Sequence, residues 1–389
     1  MRQRLALLGA TGSIGDSTLE VVRHHPDRLA ISTLGALGRN PEALLALVRE
    51  FRPRLLAVVD PEVARDLRPQ LPPGVELAAG PESLVAAATH PEVDKVVAAI
   101  VGAAGLPPVA AALAAGKPVA LANKESLVVA GRLLTDLARR TGAEIVPIDS
   151  EHVALHQALR AGTRDEVRRL VLTASGGPFL HRDPTTFASI RREEALRHPT
   201  WSMGAKISID SSTLINKGLE LIEASHLFGI RPEDIDIVVH PRSLVHSLVE
   251  FCDGSWLAQL SVNDMIFPIQ YALAYPERWP NEFPRLALAE LGTLEFLPLD
   301  NRRFPAVELA RAALAAGESA PAVLNAANEV AVHAFLDGEI GYPDIVATTA
   351  EVLAGHQPEA LADLDAALAW DRWGRRRATE ALSKRARAR

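Results

Sequence analysis

The 389-residue chain has a single cysteine, Cys252, so neither an intrachain disulfide framework nor a multi-thiolate metal site can form. Lysine is also scarce: only six of the 41 basic residues are lysine, and the rest are arginine. A compact ammonium cannot be exchanged for a planar guanidinium where a point donor is required. Among the six, Lys124 and Lys217 fall in polar motifs. A dominant charge of one sign is missing as well. The 41 basic residues face 48 acidic ones, a net charge of −7, which leaves no electrostatic footprint for nucleic acid. Nor is there a convincing membrane span. Residues 96–116 are uncharged over 21 positions, but Gly102, Gly105 and Pro107-Pro108 break the run. They predict a buried strand, a turn and a helix. Arg2 and Arg4 precede LALLGA as in a signal peptide, yet the apolar run is short and a glycine turn follows it. A cytoplasmic protein is expected, with Cys252, in the apolar LVEFCDG, a buried structural thiol.

What is present is an ordinary globular balance, 48% hydrophobic and 23% charged, in a chain long enough for two or three domains. Up to about residue 150, short apolar runs alternate with helical patterns. Strands are expected at Leu5–Leu8, Ile31–Leu34, Leu55–Val59, Val96–Ile100, Pro118–Leu121 and Ile145–Ile148. Such alternation predicts an α/β fold with a doubly wound, Rossmann-like parallel sheet over 1–150. Residues 151–290 hold strand candidates close together, LVLTA (170–174), IDIVVH (235–240), SLVHSLVEFC (243–252) and WLAQLSV (256–262). Tight links at Pro241-Arg242 and Asp253-Gly254 predict antiparallel pairing in a central α+β domain. Residues 275–305 are rich in proline and suggest a linker, set at 291–305, and 306–389 read as a C-terminal helical bundle with a basic end, Arg372 to Arg389.

Several motifs carry chemistry. Gly9-Ala10-Thr11-Gly12-Ser13-Ile14-Gly15 lies between the first strand and the first helix, where backbone N–H groups can cradle a pyrophosphate. Its GxxGxxG spacing departs from GxGxxG, and a plain glycine turn is the alternative. After the second strand, Gly38-Arg39-Asn40 offers a guanidinium where an NAD enzyme places an acid, which favours NADPH unless Arg39 is simply a loop residue. Asp149-Ser150-Glu151 follows an apolar strand. Strand alternation would put both carboxylates on one side, as an oxygen site for Mg²⁺ or Mn²⁺; a helix N-terminus is the competing account. His152 and His156 are four apart, but no third ligand at metalloprotease spacing supports zinc. Ser175-Gly176-Gly177 ends a strand in a turn able to hold an anion. The densest stretch, HPTWSMGAKISIDSSTLINKGLE (198–220), brings together His198, Trp201, Ser211, Asn216, Lys217 and Glu220. Asn216 and Glu220 share one helix face, although Lys217 and Glu220 could be a mere surface ion pair.

Together GATGSIG (9–15), LANKESLV (121–128), IDSEH (148–152), SGGPF (175–179), the 198–220 stretch and LNAANEVAV (324–332) resemble the 1-deoxy-D-xylulose 5-phosphate reductoisomerase family. Ala205 and VNDM (262–265) are small departures from its pattern. The resemblance implies NADPH- and metal-dependent isomerisation and reduction of a phosphorylated sugar, in isoprenoid precursor synthesis, by a homodimer. The metal would be Mg²⁺, Mn²⁺ or Co²⁺, held by Asp149, Glu151 and Glu220. Ser175, Ser211, Asn216 and Lys217, with His198, would hold the phosphate, while Lys124, Ser150, Glu151 and Glu220 face substrate oxygens or the metal. Thr11, Gly12, Ser13, Ile14, Gly38, Arg39, Asn40, Asn123, Glu125 and Gly204 would contact NADPH. Catalytic roles are implied for Lys124, Glu151, His198 and Trp201, the last on a flap near 197–205. The alternatives are a semialdehyde-type NADP dehydrogenase, which needs no divalent metal, and a non-catalytic NADPH-binding protein.

Overall fold

The computed structural model describes residues 2–201 and 203–388, with side chains as far as 385. Ser202, within the expected flap, and Arg389, at the end of the basic tail, lie outside the described residues. The chain forms two compact units. The first comprises residues up to Ser126 with Leu134–Val153 and Met265–Phe283; the second comprises Leu127–Leu133, Ala154–Asp264 and everything from Pro284 onward.

The first unit is built on seven strands, β1 (Gln3–Leu8), β2 (Leu29–Ala36), β3 (Leu55–Val58), β4 (Glu76–Ala79), β5 (Lys95–Ala98), β6 (Val119–Leu121) and β7 (Ile145–Pro147). Their order is β4-β3-β2-β1-β5-β6-β7 and every pairing is parallel. Sequences such as LLAV and KVVA are buried along their whole length, as strands covered on both faces must be. The strand order reverses direction beside β1, at the β1–β5 pair, and all carboxyl ends share one edge, where ligands of such sheets bind. Six of these strands are expected from sequence. The seventh, β4, is ELAA at the sheet edge, half-exposed and without β-branched residues, so no pattern announces it. Residues 96–116 form a strand and the short helix Leu106–Ala114. Among the described residues no helix is long and apolar enough to cross a membrane.

The helix Ile266–Ala274, assigned by sequence to the central region, packs with this first unit instead. Ile266, Ile269 and Leu273 fall on one face and join the core containing Leu19, Val22 and Leu5. Lys95 is buried below this helix and donates to the Ala272 carbonyl at 3.0 Å, completing the C-terminal turn.

In the second unit, β8 (Val167–Ala174), β9 (Ile235–Val239), β10 (Val245–Phe251), β11 (Trp256–Leu260) and β12 (Leu297–Pro298) make a mixed sheet ordered β11-β10-β8-β9-β12. The Asp253-Gly254 link does join an antiparallel pair, β10 and β11. Pro241-Arg242 does not: β9 lies parallel to β8, and the chain crosses over to put β10 on the far side of β8. Cys252 is exposed rather than buried, because β10 ends at Phe251 and the cysteine opens the turn. The region expected to form a helical bundle holds the helices Ala306–Ala316, Ser319–Leu336, Tyr342–Ala354 and Leu364–Ala388. They do not separate from the second sheet, since Val307, Ala331, Val332, Phe335 and Ile345 share one hydrophobic core with Leu170, Leu172 and Ile235. Packing therefore divides the chain in two where the sequence suggests three parts and a linker.

Candidate functional site

In the first unit, the turn after β1 is shaped by two glycines. Gly9 has φ +96°, and a Cβ there would stand 2.5 Å from the Ala99 carbonyl oxygen. A Cβ on Gly15 would stand 2.4 Å from the Gly9 carbonyl oxygen. The turn is thus drawn tightly into the helix Ser13–His24, which has Gly12 at its N-cap and no side-chain cap. An uncapped N-terminus with exposed Gly12 and Ser13 is a ready anion site, and Thr11 and Ile14 flank it half-buried. At the end of β2, Gly38 (φ +103°) turns the chain, and Arg39 is exposed and without an ion pair among the described residues. Asn40 caps the next helix, accepting from Ala43 N–H at 3.1 Å. These residues fit an NADP-type nucleotide: backbone donors for the diphosphate and a loose guanidinium for a 2′-phosphate.

Beyond β6, both amide hydrogens of buried Asn123 are spent inside the protein, on the Gly102 carbonyl and on Glu125, each at 2.9 Å. Asn123 and Glu125 therefore hold the β5 and β6 loops together, and what Asn123 can still offer a cofactor is mainly its backbone. The adjacent Lys124 places its ammonium 2.5 Å from Asp149. Asp149 lies past the end of β7, and the helix Ser150–Ala158 starts at once, so a helix start rather than strand alternation aims the carboxylates. Asp149 and Glu151 still present oxygens within 4.8 Å of each other, and Ser150 donates to Glu151 at 2.6 Å. An all-oxygen pair at this spacing suits a hard divalent cation. His152 is buried with Nδ1 3.8 Å from Asp149, and burial beside Arg160 pushes His156 down to about 4.

In the second unit, β8 delivers Ser175 to the turn Ser175-Gly176-Gly177. Both glycines have positive φ, and a Cβ on Gly177 would stand 2.8 Å from the Ser211 carbonyl oxygen. The turn thus lies against the end of the helix Ala205–Thr213, which carries Ser211 and has Gly204 as its N-cap. Leu214, at φ 60°, then reverses the chain into the helix Ile215–Phe228, whose first turn carries Asn216 and Lys217. Asn216 donates to Glu220 at 2.5 Å, and Lys217 grips its other oxygen. The ion pair weighed as a surface feature is real but buried, with Lys217 4% and Glu220 1% exposed.

The hydrogen bonds of His198 determine its tautomer. Nδ1 accepts from the backbone N–H of Thr200 (3.2 Å) and of Trp201 (3.0 Å), so it carries no proton. The proton sits on Nε2, which donates to Ser175 Oγ at 3.0 Å. Burial keeps the ring neutral, with a pKa pushed down to about 4. Ser175 Oγ also accepts from Gly177 N–H at 3.2 Å. With two donors already pointing at its oxygen, the hydroxyl has its own proton to give, and it is therefore poised towards an acceptor such as a phosphate oxygen. The half-buried Trp201 ring lies 6.2 Å from His246.

Sequence assigns no role to Asp210, Lys206, Asn328 or Tyr342, which brace this cradle. Asp210 is 1% exposed and receives Lys206 and Asn328, each at 2.8 Å, while Tyr342 donates to the Ser212 carbonyl at 2.7 Å. The one available signal is compositional: LNAANEVAV sets two amides and a carboxylate among alanine and valine in a helix that is buried nearly throughout.

Three family models match the chain: 1-deoxy-D-xylulose 5-phosphate reductoisomerase over residues 5–131, that enzyme's C-terminal domain over 145–228, and a DXP reductoisomerase C-terminal domain over 260–377. The 1-deoxy-D-xylulose 5-phosphate reductoisomerase of Anaeromyxobacter dehalogenans is 51% identical over 386 residues, 99% of each chain. A crystal structure of DOX-P reductoisomerase in complex with NADPH, fosmidomycin and magnesium superimposes with a TM-score of 0.91 at 43% identity, covering 98% of each chain. The Zymomonas mobilis enzyme in complex with NADPH gives 0.91 at 42% identity, again covering 98% of each.

Proposed function

Because the chain belongs to the 1-deoxy-D-xylulose 5-phosphate reductoisomerase family, we propose a division of its reaction among named residues. The enzyme rearranges 1-deoxy-D-xylulose 5-phosphate and reduces the product to 2-C-methyl-D-erythritol 4-phosphate, with NADPH and a divalent cation such as magnesium. Family membership displaces both alternatives, the semialdehyde dehydrogenase and the non-catalytic binder.

In this reading Asp149, Glu151 and Glu220 hold the cation. When bound, the cation supplies charge stabilisation at substrate oxygens and NADPH supplies the hydride. Lys124, already paired with Asp149, donates to a substrate oxygen, and Ser150 orients Glu151. Ser175, Ser211, Asn216 and Lys217 bind the phosphate, with neutral His198 fixing the Ser175 hydroxyl. Remote phosphate binding then holds the reacting carbons in register. The nucleotide is held by Thr11–Ile14, Gly38–Asn40 and the backbone around Asn123 and Glu125, and Gly204 is a further contact. Trp201 covers the substrate when the flap closes, excluding water. The observation that carries the reading is Ser175: its oxygen takes two donors, so its proton is directed to an anion.

A cytoplasmic homodimer completes the proposal. Strand β11 is an edge of its sheet, with Trp256 45% and Leu257 39% exposed, a surface suited to a second copy. The deciding assay follows NADPH absorbance on adding 1-deoxy-D-xylulose 5-phosphate with Mg²⁺ or Mn²⁺. Oxidation abolished by EDTA and restored by metal is the expected result. NADPH left unoxidised with either metal overturns the assignment.

A further inference from the structure

The stretch LNAANEVAV (324–332) has no task in the reaction, although Asn325, Asn328 and Glu329 are all buried. Two of the three are accounted for among the C-terminal helices. Asn325 donates to Glu329 at 2.9 Å, and Arg375 donates to the same carboxylate at 2.6 Å. Asn328 is directed elsewhere. Its Nδ2 donates to Oδ1 of Asp210 at 2.8 Å, while Oδ2 of Asp210 pairs with Lys206 one turn earlier.

Asp210 immediately precedes Ser211. On the other side of Ser211, the Ser212 carbonyl accepts from the Tyr342 hydroxyl at 2.7 Å. The Tyr342 ring stands edge-on to Phe179, centroids 5.2 Å apart, and Phe179 closes the SGGPF turn that carries Ser175. One tyrosine therefore braces both walls of the cradle, the helix by its hydroxyl and the turn by its ring. The helix being braced has little to hold it in place by itself. It spans only nine residues, starts at Gly204 without a side-chain cap and stops at Leu214 in the left-handed region. Helices of that length owe their position to tertiary contacts. The contacts on both sides of Ser211 come from the C-terminal helices.

We propose that Asn328 and Tyr342 are positioning residues for the phosphate cradle: they set Ser211 against Ser175 without touching substrate. The inference rests on Ser175 and Ser211 being the phosphate ligands. It gives the C-terminal helices a part in substrate affinity through two hydrogen bonds that share one target.

The test uses the full-length enzyme with Tyr342→Phe, which removes one hydroxyl and keeps the ring, and Asn328→Leu, which removes the donor at similar volume. Each is expected to raise KM for the phosphorylated substrate about tenfold, the size of one lost hydrogen bond, with kcat and the KM for NADPH little changed. The affinity for inorganic phosphate, read from ³¹P line broadening, should fall in parallel. A lower melting temperature with unchanged KM and phosphate affinity would mean a purely structural role and overturns the proposal. Tyr342→Phe keeps the test decisive if Asn328→Leu does not fold. Ser211→Ala, measured alongside, separates the two levels. If it weakens phosphate binding and the other variants do not, this inference alone fails. If it leaves phosphate binding intact, the cradle assignment fails and takes the inference with it.

Discussion

Glu220 shows how one carboxylate can be prepared for two partners. Both of its oxygens are occupied, one by Asn216 at 2.5 Å and the other by the Lys217 ammonium, and all but 1% of the residue is buried. A buried carboxylate so far from water must keep a positive partner close. Lys217 supplies that charge in the pair as it stands, and a divalent cation held by Glu220 would supply it in the working enzyme. Replacing Glu220 by glutamine removes the charge but keeps an amide that can still bond Asn216. The expected result is a divalent-metal titration displaced by more than about tenfold, in line with the loss of a group that sets metal affinity. Phosphate affinity should be retained, because Lys217 no longer has a carboxylate to neutralise. Calorimetric titrations with Mn²⁺ and with inorganic phosphate read the two effects separately. An unaltered Mn²⁺ titration would remove Glu220 from the metal site.

At the scale of elements, the cradle depends on a turn lying directly on a helix end. Gly177 sits at φ +66°, and any Cβ would meet the Ser211 carbonyl oxygen at 2.8 Å. Gly177→Ala therefore meets backbone strain and a backbone clash together, and overpacking of this kind costs about 1–3 kcal/mol. The urea midpoint should drop accordingly, and substrate KM should rise more than the KM for NADPH, whose turn after β1 lies in the other unit. A variant with native midpoint and kinetics would show that the turn and helix move independently. The elements themselves were mostly legible. Runs such as LALL (5–8) and VVAAI (96–100) read as strands and largely are, and the glycine turn after β1 stands where its spacing places it. Legibility failed where geometry is set by a neighbour distant in sequence. Edge strand β4 has no apolar alternation, Pro241-Arg242 looks like a hairpin until β9 pairs in parallel with β8, and the helix Ile266–Ala274 reveals its partner only by packing. The site shows the same division. The ligand-type residues cluster in motifs, but Asn328 meets Asp210 across 118 residues, and no periodicity connects them.

For the molecule as a whole, imidazoles set the acid limit. His156, His198 and His226 all lie in the second unit, and burial pushes each down to about 4; Arg160 adds to the effect at His156. In the unfolded chain they titrate near 6.5. Between those values the unfolded state takes up protons that the native state refuses, so stability falls as pH falls. The contribution is intact above about pH 6.5, declines through the window down to about 4, and stays lost below it. Carboxylates held low by partners, such as Glu50 beside Arg23, Asp94 beside Arg4 and Glu318 beside Arg132, act in the same direction but only nearer their own acidic range. They are also partly exposed, which weakens them. Acid unfolding should therefore begin in the imidazole range rather than the carboxylate range. Urea midpoints measured from pH 7.5 to 4 should fall steadily below about 6.5. His156→Gln, which cannot titrate, should flatten part of that slope while leaving the carboxylate limb below pH 4 in place. A wild-type midpoint constant down to pH 4 would show that these rings take up protons in the native state as readily as in the unfolded chain, and the acid limit would then pass to the carboxylates.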